Sequence, residues 1–289
     1  MTSLTPAERM QHVLELLETQ DHVRVSDLVQ EFAVSEVTVR NDLSELARQG
    51  LVARVRGGAR TPPRAEADEL AFDVRLGLQV AEKRAIAKAA AAMVGDGEAI
   101  ALDCSTSAFH LALELEGKKE LVVVTNGLLI AEALAATPGI SVILTGGVLR
   151  RAAMSTVGDL AADVLRATHI NKGFFGARGQ SLERGLMDLN PDEVRLKREL
   201  ASVCEQVVGI FDHTKWTRSA LLSFVPAERV TAIVTDAAAP ADLMESWRAR
   251  GVTVVAAEPE QPARPAPAPP RGLRRTVPHP RSAVAGGAA

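Results

Sequence analysis

The chain has 289 residues, 47% hydrophobic and 24% charged, which is enough for two domains with sizeable cores. Its formal net charge of −3 excludes a uniformly basic surface, so any nucleic-acid footprint must be local. Two cysteines, Cys104 and Cys204, exclude a disulfide framework, and the apolar runs are too short to span a membrane.

The first predicted helix opens at Thr5-Pro6-Ala7-Glu8: a capping threonine, a proline at the first helical position and a glutamate three residues after the cap. Met10, Val13, Leu14 and Leu17 line one face. A second helix is expected from Ser26, carrying Leu28, Val29 and Phe32, and a tight turn follows at Phe32-Ala33-Val34. A third is expected from Ser35, with Val34 and Val39 stapled across its cap and Gly50 closing it. Val39, Leu43, Leu46 and Ala47 form its inward stripe. The following LVARVRGGAR reads as a basic hairpin, and Gly57-Gly58 allows a tight turn or a close backbone approach.

Two short helices and an arginine-bearing hairpin are the parts of a winged helix-turn-helix that enters a DNA major groove. Opposite the inward stripe of the third helix lie Val37, Asn41, Ser44 and Arg48, with Arg40 on the flank. Asparagine can pair with adenine, arginine with guanine, and an apolar side chain can meet a thymine methyl. Ser35 and Thr38 are placed to contact phosphate at the helix start, and Arg54 and Arg56 lie two apart on the wing. Double-stranded operator DNA is therefore the expected first partner.

Residues 61–71 read as a linker with two prolines. Beyond it, short apolar β-type runs near 98–103, 121–125, 140–145, 171–176, 207–212, 231–235 and 252–256 alternate with helical runs near 79–94, 106–116, 127–136, 157–167, 192–205 and 240–250. This alternation predicts an α/β domain over 72–257 with a parallel or mostly parallel sheet. The remaining 258–289 is rich in proline, alanine and arginine and is expected to form a disordered tail.

Three loops follow predicted strands on one edge: Asp103 to Ser107, Thr125-Asn126-Gly127 and Thr145-Gly146-Gly147. In open α/β sheets ligands bind beyond the strand ends, and hydroxyls with amides at a helix start suit an anion. Phe174-Phe175-Gly176-Ala177-Arg178-Gly179 is a further glycine-rich turn, and Asp212-His213-Thr214-Lys215 places a lysine just past an apolar run. Glu193 and Lys197, spaced i,i+4, read as a surface helix pair. Cys104, at a helix start, is a candidate thiolate, although a packed, inert cysteine is the commoner case. The histidines show no paired ligand pattern, so no metal and no cofactor is expected.

The string VSEVTVRNDLSELARQGLVARVRGGA resembles the N-terminal signature of DeoR-type bacterial transcription regulators over about Glu8 to Ala59. Asn41 departs from it, standing where the family usually has a second basic residue. The strings EKRAIAKAAA, ALDCSTS, VVVTNGLLIAEAL, ILTGGVLR, FFGARG, FDHTKW and AIVTD are similar to the family's α/β sensor domain over about Phe72 to Ala257. That domain shares its fold with ribose-5-phosphate isomerase and the CoA transferases. The resemblance implies that Asp103, Ser105, Thr106, Ser107, Thr125, Asn126, Gly146, Gly147, Asp212 and Lys215 surround a phosphorylated sugar or related metabolite. Cys104 and Met187 depart from common family choices. The acidic turn that the isomerases use for proton abstraction is replaced by Gly-Ala-Arg-Gly, which speaks against a retained isomerase. The expected protein is a cytoplasmic homo-oligomeric repressor, dimeric or tetrameric, with no membrane partner. The alternative is a sugar-phosphate isomerase-like enzyme carrying a DNA-binding module.

Overall fold

The computed structural model describes residues 4–20, 22–48, 52–60, 72–160, 165 and 167–259. The expected linker, the closing Gly50, the Arg48 side chain, most of the helix expected at 157–167 and the tail from 260 onward lie outside the described residues.

The N-terminal part holds helix α1 (Pro6–Thr19), strand β1 (His22–Arg24), α2 (Val25–Phe32), α3 (Glu36–Arg48) and the hairpin β2 (Ala53–Val55) and β3 (Gly58–Arg60). Thr5 and Glu8 form a reciprocal capping box at the start of α1, with Glu8 N donating to Thr5 Oγ1 at 3.3 Å and Thr5 N to Glu8 Oε2 at 2.7 Å. The turn between α2 and α3 rests on Ala33 in the left-handed region (φ 51°). Ser35 caps α3 by accepting from Thr38 N at 3.1 Å. Val13, Val25, Leu28, Val39, Leu43, Leu46, Val52 and Ala59 share one apolar cluster. The three strands pair antiparallel in the order β1-β3-β2, so β1, which the sequence reading lacks, is the third strand of the wing. Both expected uses of the glycine pair are realised. Gly57 turns at φ 82°, while a Cβ on Gly58 would lie 2.0 Å from Val23 O.

The second part begins with α4 (Phe72–Gly77) and α5 (Val80–Ala91). Then follow β4 (Ala99–Leu102), α6 (Thr106–Leu113), β5 (Leu121–Thr125), α7 (Leu128–Ala135) and β6 (Ile140–Leu144). A small hairpin, β7 (Val148–Arg150) and β8 (Ser155–Val157), precedes β9 (Ile170–Phe175), β10 (Gly179–Ser181) and β11 (Gly185–Asp188). The chain continues through α8 (Pro191–Ser202), β12 (Cys204–Ile210), β13 (Leu222–Val225), β14 (Ala232–Asp236), α9 (Ala241–Arg248) and β15 (Thr253–Ala257).

Seven strands form one sheet in the order β15-β14-β12-β9-β4-β5-β6, and every neighbouring pair is parallel. Successive residues feed opposite faces. Ile100, Leu102, Phe174, Val208 and Ile210 join one cluster with α5, α6 and α7, while Ala101, Phe175, Val207 and Ile233 join another with α8 and α9. A sheet covered on both faces explains why its strands read as continuous apolar runs. The order reverses between β4 and β9, which opens a crevice at their carboxyl ends.

Candidate functional site

The cavity lies at this switch point. It has a volume of about 170 Å³ and is walled by the segments after β4 (Ser105 and the first residues of α6, Thr106 and Ser107), β9 (Gly176, Ala177, Arg178) and β12 (Asp212, Thr214, Lys215), together with parts of α4, α5 and α8. The backbone closes it tightly. A Cβ on Gly176 would lie 2.4 Å from Ser105 Cβ, and Gly176 N donates to Asp103 Oδ2 at 3.0 Å.

Its floor is an ion network. Lys197 Nζ donates to Asp188 Oδ2 at 2.7 Å and to Gly176 O at 3.0 Å, lies 2.8 Å from Asp103 Oδ2, and sits 4.8 Å from the centre of the Phe224 ring. Burial opposes its charge, but Asp103 and Asp188 outweigh that and hold Lys197 well above the ordinary lysine value. Glu193 accepts from Ser155 Oγ at 2.7 Å and Cys104 Sγ at 3.0 Å, and pairs with Arg150 Nη1 at 2.6 Å. Glu193 and Lys197 are thus not the exposed pair that their spacing suggests. Both are buried, and each binds partners from other strands and loops rather than one another. The i,i+4 rule says only that two side chains share a helix face, and here that face points inward.

Cys104 is buried, and burial together with Glu193 and Asp103 pushes its thiol well above the ordinary range. It is a packed thiol that donates a hydrogen bond, not a thiolate poised to react. Asp212 is also buried; its N-capping oxygen accepts from Thr214 N at 3.0 Å, and Lys215 Nζ lies 3.8 Å from its other oxygen. Burial alone would raise the Asp212 carboxyl, but Lys215, Thr214 and Lys83 hold it below the usual aspartate value.

Of the ten effector residues that the sequence reading names, Ser105, Thr106, Ser107, Asp212 and Lys215 line the cavity and Asp103 lies directly beneath it. Thr125, Asn126, Gly146 and Gly147 do not line it. Asn126 and Gly147 pack against the β7–β8 hairpin instead. Asn126 Nδ2 donates to Thr156 O at 3.2 Å, Thr125 Oγ1 accepts from Gly127 N at 3.0 Å, and a Cβ on Gly147 would meet Val157 O at 2.3 Å. Their strands, β5 and β6, stand on the far side of β4 from the crevice.

Residues that the sequence reading left out of the site are Arg75, Lys83, Arg178, Asp188, Glu193, Lys197 and Arg218, all of which line the cavity. Its wall therefore carries six basic side chains (Arg75, Lys83, Arg178, Lys197, Lys215, Arg218) against three carboxylates (Asp188, Glu193, Asp212), or four with Asp103 beneath. Such a wall favours an anion. Among the described residues no group of three or more histidine, cysteine or acidic side chains is placed to hold a metal ion.

On the N-terminal part, Ser35, Val37, Arg40, Asn41 and Ser44 are exposed along α3, with Thr38 partly so. Val37 is 67% exposed, an apolar side chain held out at the helix start. Arg40 Nη2 pairs with Glu36 Oε1 at 2.6 Å, and Ser44 Oγ donates back to Arg40 O at 2.7 Å. Arg54 lies on β2, whereas Arg56 falls in the wing turn rather than on the same strand; both are exposed. The inner side of α3 is fixed to α1 by the buried Arg9, whose Nε and Nη2 clasp Asp42 at 2.7 and 3.2 Å. No helix among the described residues is long and apolar enough to cross a membrane.

Family models match both halves: the DeoR-like helix-turn-helix domain over residues 9–64 and the DeoR C terminal sensor domain over residues 78–237. The HTH-type transcriptional regulator GolR of Listeria innocua is 36% identical over 253 residues, covering 88% of this chain and 99% of that protein. The glycerol-3-phosphate regulon repressor of Escherichia coli is 31% identical over 238 residues, covering 82% of this chain and 94% of its own length. Among solved structures, ribose 5 phosphate isomerase A from Neisseria gonorrhoeae aligns over 47% of this chain and 52% of its own, at 19% identity and a TM-score of 0.36. With a helix-turn-helix at one end and a sensor domain at the other, the chain belongs to the DeoR family of DNA-binding transcription regulators and is not an enzyme.

Proposed function

We propose that the protein is a cytoplasmic repressor whose α/β domain binds a phosphorylated sugar or related metabolite and thereby controls operator binding by the winged helix. The observation that carries the effector reading is the excess of basic side chains around the switch-point cavity. A phosphate monoester supplies two negative charges and three acceptors to such a wall. Ser105, Thr106, Ser107, Asp212 and Lys215, with Lys83, Arg178 and Arg218, are the contacts proposed for it. The name of the glycerol-3-phosphate regulon repressor, a relative along most of its length, favours the same ligand class and the same sign of regulation.

The DNA contacts proposed are Ser35, Val37, Thr38, Arg40, Asn41, Ser44, Arg48, Arg54 and Arg56. A single winged helix reads only a short stretch of groove, so a homo-oligomer, dimer or tetramer, would supply paired half-sites. Effector control is then a coupling free energy between two sites on different domains. A thermal-shift screen with phosphate esters and their unphosphorylated parents tests the reading. Esters are expected to stabilise the folded protein, by about 2.7 kcal/mol at a hundredfold excess over Kd, and parents much less. Equal stabilisation by the parents, or none by any ester, would count against it.

A further inference from the structure

α4 (Phe72–Gly77) is the first described element after the wing in chain order, so it is where the sensor domain takes hold of the chain coming from the DNA-binding part. Three things hold it in place. Phe72 and Val74 are buried; Phe72 N donates to Ala152 O at 2.8 Å, with its ring edge-on to Phe109; and the ammonium of Lys83 closes the other end of the helix. Lys83 Nζ donates to Arg75 O and, at 2.5 Å, to Leu78 O. Arg75 lies in the last turn of α4 and Leu78 just past its end, where helix geometry leaves carbonyls open to outside donors.

An ammonium has three donors, and Lys83 uses two on carbonyls. Among the described residues no acceptor takes the third, although Lys83 is only 4% exposed and lines the cavity. Leaving a buried charged donor unmet is costly, and the cavity is where an acceptor can come from. The surroundings set the sign of that acceptor. Burial lowers the Lys83 pKa to about 8, with Lys215 and Arg75 pushing the same way against the pull of Asp212 and Glu82. A negative oxygen beside it would relieve all of these.

We propose that the third donor of Lys83 anchors an oxyanion of the effector, and that Lys83 thereby ties occupancy of the cavity to the seating of α4. The proposal rests on the anion-binding reading of the same cavity. One ammonium bridges the ligand and two α4-end carbonyls, so a bound anion fixes the segment that leads to the DNA-binding part.

The test is hydrogen exchange on the full chain with inorganic phosphate as the probe, combined with calorimetric titration. In the wild type, saturating phosphate should slow exchange of the amides from Phe72 to Gln79. Lys83→Met should weaken phosphate binding by about tenfold or more, the loss of one charge-assisted hydrogen bond, and abolish the slowing at saturation. Lys215→Met should also weaken binding, yet retain the slowing once phosphate saturates. If phosphate binds the wild type but exchange at 72–79 is unchanged, or if Lys83→Met binds as tightly as wild type, the role of Lys83 is wrong and the anion site stands. If phosphate neither binds nor stabilises the wild type, the anion site itself falls, and this role with it. The wild-type exchange measurement decides the matter even where Lys83→Met fails to fold.

Discussion

Lys197 Nζ lies 2.8 Å from Asp103 Oδ2, and both side chains are buried. The pair joins α8 to the end of β4 across the point where the sheet reverses its order, and Asp188 completes the triad at 2.7 Å. An ion network this deep is retained at a cost in desolvation, which makes it sensitive to the loss of one member.

Lys197→Met is therefore expected to destabilise the protein by about 3–5 kcal/mol, because it strands the Asp103 charge in the interior. Urea denaturation followed by circular dichroism measures this. A loss of under about 1 kcal/mol would mean that the amides of Gly176 and Ser105, which donate to Asp103 at 3.0 and 3.1 Å, already satisfy it.

His110, on the face of α6 turned toward α5, gives a pH signature. Burial, with Lys83 and Arg84 nearby, lowers its pKa to about 4 from an ordinary 6.5. The unfolded chain takes up this proton first as pH falls, so the stabilising effect of a neutral His110 is full above pH 6.5 and is lost between 6.5 and about 4. The loss is at most about 3 kcal/mol, and His110→Gln should flatten stability against pH in that window. An identical acid limb in wild type and variant would contradict the assignment.

Arg40 faces away from the core of α3 and is paired with Glu36 on the exposed surface. Such a pair is worth about 0.3–0.5 kcal/mol, so DNA can take the guanidinium at little cost. Arg40→Ala should weaken binding to the preferred duplex by about 1–3 kcal/mol and binding to random duplex by less. Glu36→Gln, which removes a negative charge from the same face, should tighten both. Equal losses on the two duplexes for Arg40→Ala would make it a phosphate contact instead.

The parts legible in the sequence were those with a strong local signal. The seven parallel strands stand out because two-sided burial writes continuous apolar runs, and α1 and α3 stand out by cap and stripe. Strands β7, β8, β10, β11 and β13 are three or four residues long, too short to show a period of two. α4 is likewise under two turns. The cavity was half legible. Ser105 follows β4 at the reversal, and Asp212 and Lys215 follow β12, beside β9 on one side of it, whereas Thr125, Asn126, Gly146 and Gly147 follow β5 and β6 on the other side. Strand order decides between them, and one chain read in sequence does not display its strand order. Asp188, Glu193 and Lys197 escaped because their network is completed from distant segments, Lys83 because its partners are backbone carbonyls, and helix spacing alone cannot tell an inward face from an outward one.

The central claim is that an anion held at the β4–β9 crevice governs DNA binding. The most direct measurement first selects the preferred duplex from random sequence at physiological salt. Its affinity is then titrated with and without saturating phosphate esters, for wild type and Lys215→Met. The account predicts a sequence preference, at least one ester that changes wild-type affinity by about fivefold or more, and no change at the same ester concentration for Lys215→Met. An ester that binds the wild type and leaves DNA affinity unaltered, or that acts equally on the variant, would contradict it.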